Sequence, residues 1–141
     1  MSIFDPTPSL WAPRVLSIFR IAMGLFFITF GTMKLFGWPP LPPGTEIPVM
    51  SQAWIGGLME IVGGALIALG LFTRPVAFIL SGEMAVAYFQ FHAPSSPFPQ
   101  INQGIPAIVF CWFFFYLVFS GAGEWSLDAM IARKRGERVA W

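Results

Sequence analysis

Charge is what this 141-residue chain has least of. Asp, Glu, Lys and Arg make up 11% of it and the net charge is +1, against roughly 25% charged residues in an ordinary soluble domain. That balance excludes the basic footprint of a nucleic-acid binder, so no nucleic-acid partner is expected. There is one cysteine, Cys111, which excludes an internal disulfide and any CxxC redox or zinc pattern. It reads as a packing residue in an apolar run. There is one histidine, His92. The chain alone therefore cannot supply two-histidine haem ligation or a usual zinc site, and no metal is expected. A P-loop, a GxSxG elbow and a dinucleotide fingerprint are all missing, which removes the common self-contained catalytic motifs.

Apolar sequence is what the chain has instead: 56% hydrophobic residues, 17% aromatic, and a mean hydropathy of +0.70. Apolar runs cover residues 15–36, 54–72, 76–91 and 105–120. A bilayer core takes about 20 helical residues. The last two runs are short by that measure, and their flanks extend them to 76–92 and 104–121. The expected fold is an all-α membrane protein, a single domain of four transmembrane helices. A short amphipathic helix would follow over 124–135, capped by Ser126. Residues 1–14 lack the early basic cluster and small-residue cleavage site of a secretory leader, so the first run reads as a retained span.

The basic residues are unevenly placed. Arg14, Arg74, Arg133, Lys134, Arg135 and Arg138 fall on one side of the expected spans. The loops 37–53 (with WPPLPPGTEIP) and 93–104 carry no Lys or Arg. The positive-inside rule then puts both termini in the cytoplasm, in a multi-pass protein of the cytoplasmic (inner) membrane. The lipid bilayer is the first expected partner. The aromatic run of Phe110, Trp112, Phe113, Phe114, Phe115, Tyr116 and Phe119 offers a second surface, partly facing lipid or docking another membrane subunit.

Four charged residues interrupt the apolar runs: Arg20, Lys34, Glu60 and Glu83. A charge at mid-membrane costs about 2.5–3.5 kcal/mol on the insertion scale, so such groups turn inward and pair. At helical spacing, Arg20, Gly24, Phe27, Gly31 and Lys34 share a stripe, as do Gly56, Glu60, Gly63, Ile67 and Gly70, with Gly57 and Gly64 beside them. Small residues on those stripes let helix backbones approach closely. The expected pairings are Lys34 with Glu60 and Arg20 with Glu83. Tyr88 and His92 lie four residues apart near the uncharged outer loop. On a straight third helix, His92 points roughly opposite Glu83. The candidate polar seam is thus Arg20, Lys34, Glu60, Glu83, Tyr88 and His92. Two readings of it stay open: charges that only fix the register of the bundle, and contacts for a ligand such as a quinone.

The chain resembles the DoxX family of small membrane proteins. The resemblance lies in RIAMGLFFITFGTMKLFG (20–37), GGLMEIVGGALIALGLFTRP (56–75), GEMAVAYFQFHAP (82–94) and GAGEWSLD (121–128). It implies a four-helix membrane bundle. For some members it implies the small membrane subunit of a thiosulfate:quinone oxidoreductase, and for others a link to oxidant defence and sulfur handling. On that basis the expected function is a membrane subunit of a larger redox or quinone-linked complex, with quinone as the cofactor to look for and nothing bound covalently. A purely structural assembly subunit and a small oligomeric transporter are the alternatives.

Overall fold

The computed structural model describes residues 9–138. Among them are six α-helices and one π-helical turn, and no strand: α1 (Ala12–Phe36), α2 (Gln52–Leu69), α3 (Thr73–Ala87), the π-turn (Tyr88–His92), α4 (Pro99–Asn102), α5 (Ile105–Ser120) and α6 (Leu127–Lys134). Two helices, α1 and α2, are long and apolar enough to cross a membrane. The 16 residues of α5 are also apolar but fewer.

The helix ends follow from local chemistry. Pro13 in the first turn of α1 needs no hydrogen-bond acceptor. Ser51 caps α2, accepting from the N–H of Trp54 at 3.2 Å. Gly70, at φ 67°, ends that helix: its N–H reaches the Ile67 carbonyl, and the Leu71 N–H reaches that of Leu66 at 3.0 Å. The second helix therefore stops at Leu69, short of the expected 72. The third helix starts earlier than expected, at Thr73 rather than 76, and its first turn contains Pro75. Ser126 caps α6 as expected, accepting from Ala129 N–H at 3.1 Å. The one-turn helix α4, inside an expected loop, was not anticipated.

Contacts along the helices run in opposite senses. Gly24 on α1 meets Gly64 and Ala68 of α2, and Gly31, further along α1, meets Gly57 and Ile61. Gly63 meets Leu80 of α3, and Gly56 meets Glu83. Arg74 reaches Val118 on α5, whereas Ser81 reaches Cys111. Each successive pair is thus antiparallel. The α1–α2 contact is so close that a Cβ on Gly31 would lie 2.5 Å from the Gly57 carbonyl oxygen. The small residues that face α1 are Gly57 and Gly64, while Gly56 and Gly63 face α3. The expected single glycine stripe is therefore two rows, one for each neighbour.

The core joins Phe27 of α1 to Phe110, Phe114 and Leu117 of α5, with Ile67, Leu80 and Met84 from the helices between them. Phe27 and Phe114 meet edge to face, with ring centroids 4.8 Å apart. The opposite face of α5 (Trp112, Phe115, Tyr116, Phe119) is exposed. So are Leu25, Phe26, Val62 and Phe78 on the other helices. An apolar exterior around a packed interior is what a chain solvated by lipid presents.

Candidate functional site

The six candidate residues fall into two groups at opposite ends of the bundle. Fourteen residues of α1 separate Arg20 from Lys34, about 21 Å along the axis.

At the first end, Arg20 is fully buried, and all its partners are main-chain carbonyls. Nε donates to Ala122 O at 2.7 Å, Nη1 to Ile67 O and Ala68 O at 2.5 and 2.6 Å, and Nη2 to Trp125 O at 2.6 Å. The expected Arg20–Glu83 pairing is not formed. The last carbonyls of α2 have no intrahelical donor, and a guanidinium can take several of them at once. The positive charge also suits the negative end of the helix dipole. Asp128 completes this end. Its carboxylate accepts from the N–H groups of Phe72 (2.8 Å) and Thr73 (2.9 Å), and its own N–H donates to Gly70 O at 2.9 Å. Asp128 caps α3 from 55 residues away. This explains the early start of that helix, and no local signal could have revealed it.

At the other end, Lys34 Nζ donates to Glu60 Oε1 at 2.6 Å, the pairing expected from the shared stripe. Glu60 is buried and Lys34 is partly open. Glu83 reaches the same place from α3, because Gly56 on α2 has no side chain: a Cβ there would lie 3.2 Å from Glu83 Oε1. Two oxygens of this cluster, Glu60 Oε2 and Glu83 Oε2, are buried without a hydrogen-bond partner. Lys34, Glu60, Glu83, Gln52 and His92 line one cleft of about 400 Å³ between α2 and α3.

His92 is brought to that cleft by the π-turn. Nine helical steps of about 100° would set it about 180° from Glu83. The Ala93 N–H bonds to Tyr88 O, five residues back, at 2.9 Å. A π-turn of this kind takes up one extra residue, which withdraws about 100° of that rotation. His92 Nδ1 then donates to Asn102 O at 3.0 Å, which leaves Nε2 as an acceptor in the neutral ring. Tyr88 stands beside the cleft rather than in it. Its hydroxyl accepts from Asn102 Nδ2 at 3.4 Å, and its ring stacks on His92.

Three participants were not singled out from the sequence as site residues. Gln52 and Gln90 exchange both amide hydrogen bonds, at 2.7 and 2.8 Å, and tie the start of α2 to the π-turn. Gln90 shares its helical stripe with Glu83, a signal that was present. Asn102, at the end of α4, is buried; it bonds Ser96 O at 2.9 Å and Gly104 N at 2.8 Å.

Comparison with known proteins agrees with the motifs. The DoxX family model matches residues 15–93. A Haemophilus influenzae protein, described as an uncharacterized protein, is 41% identical over 128 residues, covering 88% of this chain and 96% of that one. Inner membrane protein YphA of Escherichia coli is 40% identical over 70 residues, covering 46% of this chain and 49% of its own. No solved structure matches the chain.

Proposed function

The chain belongs to the DoxX family, and from that premise we propose that it is a four-span inner-membrane protein serving as the membrane subunit of a quinone-linked redox assembly. The spans are α1, α2, α3 continued by the π-turn, and α5. With the π-turn, the third reaches 20 residues, Thr73–His92. Arg14 and Arg74 lie at the Arg20 end of the bundle with the basic tail, which supports cytoplasmic termini by the positive-inside rule. The relative named as an inner membrane protein supports the location. Single cysteines placed at Thr45 and at Arg135, in a Cys111→Ser background, test the orientation. A membrane-impermeant thiol reagent added from outside is expected to label the first and spare the second.

The observation that carries the functional reading is the Lys34–Glu60–Glu83 cluster, with two buried carboxyl oxygens unpartnered in an otherwise apolar cleft. Buried polar atoms are normally satisfied, and each exception needs an explanation. A quinone couple beside Lys34, Glu60, Glu83 and His92 supplies one: its reduced form carries hydroxyls that donate to those oxygens, and the carbonyls of its oxidised form accept from the remaining N–H groups of Lys34. When bound, the quinone would carry electrons and protons for the assembly. The chain's own residues would seat and orient it. The exposed aromatic face of α5, with Trp112 66% and Phe119 66% exposed, is the surface for the partner subunit.

The test is purification in mild detergent, followed by solvent extraction and quantification of quinone. Near-stoichiometric quinone, lost in Glu60→Gln, is the expected result. Quinone at the level of an unrelated membrane protein, with no change in the variant, would overturn the reading.

A further inference from the structure

Three features of the α2–α3 cleft point the same way. First, the acceptors at its polar end are under-satisfied: Lys34 Nζ is bonded to Glu60 Oε1, while Glu60 Oε2 and Glu83 Oε2 stand without partners. His92 Nε2 adds a third acceptor. Gln52, the other amide there, is committed to Gln90. The unmet groups in the cleft are acceptors, and what satisfies an acceptor is a hydrogen-bond donor. Second, one wall is open. Gly82 on α3 lines the cleft, and a Cβ built there meets nothing within 4 Å. Glycine inside a helix costs about 1 kcal/mol relative to alanine, and no packing against protein explains it here. Third, the cleft does not end at the carboxylates. Met59 and Ile79 also line a second, adjoining groove of about 330 Å³, with Leu58, Val62, Leu66 and Val76, apolar throughout. Glu60 to Leu66 is about 9 Å of helix, room for the first part of a long apolar tail.

We propose that the two grooves are one binding site for an amphiphile whose head donates hydrogen bonds, with the head on Glu60 and Glu83 and the tail between α2 and α3 beyond Met59 and Ile79. The proposal deepens the reading of Lys34–Glu60–Glu83 as a ligand site and fixes the polarity of what it holds. A hydroquinone and a primary-amine phospholipid share this chemistry. The oxidised quinone and the trimethylated choline phospholipid have the same tails and no donor on the head. A hydrogen bond to a carboxylate contributes about 1.5–3 kcal/mol, and tenfold in affinity corresponds to about 1.4 kcal/mol. The site should therefore prefer the donor of each pair by about tenfold or more.

The experiment is native mass spectrometry of the full chain in detergent micelles, under anaerobic conditions. Matched probes are offered pairwise: decyl-hydroquinone against decyl-quinone, and phosphatidylethanolamine against phosphatidylcholine of equal chains. The expected result is at least tenfold retention of the donor member in one pair or both. That preference should vanish in Glu83→Gln, and all retention should fall in Gly82→Leu, which fills the open wall without touching a carboxylate. Cooperative melting of the variants, at or above the wild-type temperature for Gly82→Leu, shows that they are folded. Selection of phosphatidylethanolamine alone supports this proposal and overturns the quinone reading. Equal retention of hydroquinone and quinone, both lost in Gly82→Leu, overturns this proposal and leaves the quinone reading standing. Retention of none of the four probes above the level of Gly82→Leu overturns both.

Discussion

Arg20 and Asp128 hold the link between α2 and α3 from its two sides. Arg20 takes the Ile67 and Ala68 carbonyls at the end of α2, and Asp128 takes the Phe72 and Thr73 amides at the start of α3. Between the two helices lie only Gly70, Leu71 and Phe72, and Phe72 adopts a φ of 50° that a large side chain rarely accepts. Both residues also bind this link to the C-terminal segment, because Arg20 bonds Ala122 O and Trp125 O.

Arg20 therefore has no conservative replacement. A lysine carries the charge but not the planar fork that reaches four carbonyls. Arg20→Lys is expected to lower the unfolding free energy by about 2 kcal/mol and Arg20→Met by about 4 kcal/mol, from charge-assisted bonds worth about 1.5–3 kcal/mol each. Thermal melting in detergent checks this. A melting curve for Arg20→Met that overlays the wild type would contradict it.

Asp128 acts as a helix cap supplied from outside the helix. Asp128→Ala removes both acceptors and should cost about 1–2 kcal/mol, with Asp128→Asn intermediate because it keeps one acceptor. The loss should concentrate at the start of α3. Hydrogen exchange of the Phe72 and Thr73 amides, faster in Asp128→Ala and little changed at Ser81, is the expected pattern. Uniformly faster exchange along α3 would count against a capping role.

The glycines predict effects of opposite sign. Gly31→Ala places a methyl 2.5 Å from the Gly57 carbonyl oxygen and 2.6 Å from Ile61 Cγ1, so α1 and α2 must separate. Overpacking of this kind costs about 1–3 kcal/mol. Gly82→Ala meets nothing, and helix propensity alone should stabilise it by up to about 1 kcal/mol. Melting temperatures of the two variants should move apart, down for the first and up for the second. Equal shifts would show that the α1–α2 contact is looser than described.

The Lys34–Glu60 pair was legible in the sequence because it depends only on helical phase and depth, which regular helices preserve. The partner of Arg20 was not. Its bonds go to backbone carbonyls exposed by the end of α2, and main-chain acceptors leave no mark on residue type. His92 misled for a related reason. Its phase was computed on a regular helix, and the π-turn at Tyr88–His92 removes that regularity. The pattern of apolar runs located α1, α2 and α5 to within a few residues. It missed α4, whose single turn Pro99–Asn102 is too short to show a period. The two-row division of the α2 glycines was also hidden, since Gly56 and Gly57 are neighbours in sequence and only the positions of α1 and α3 tell them apart.

The Lys34–Glu60 pair also decides between a scaffold and a ligand site. Lys34→Met alone strands the Glu60 carboxylate, and removing one partner of a buried pair costs about 3–5 kcal/mol. The Lys34 side chain is 26% exposed, so the lower end of that range applies. Replacing both groups, Lys34→Met with Glu60→Met, removes the stranded charge and should recover most of the loss, since apolar replacement of a buried pair is often neutral. A double-mutant cycle read by thermal melting measures the recovery. If the pair only fixes the bundle, the double variant should melt like wild type and still complement a deletion of the gene. If it seats a ligand, melting should recover while complementation and bound amphiphile do not. Recovery of all three together would reduce Lys34 and Glu60 to structural roles and remove the basis for the site.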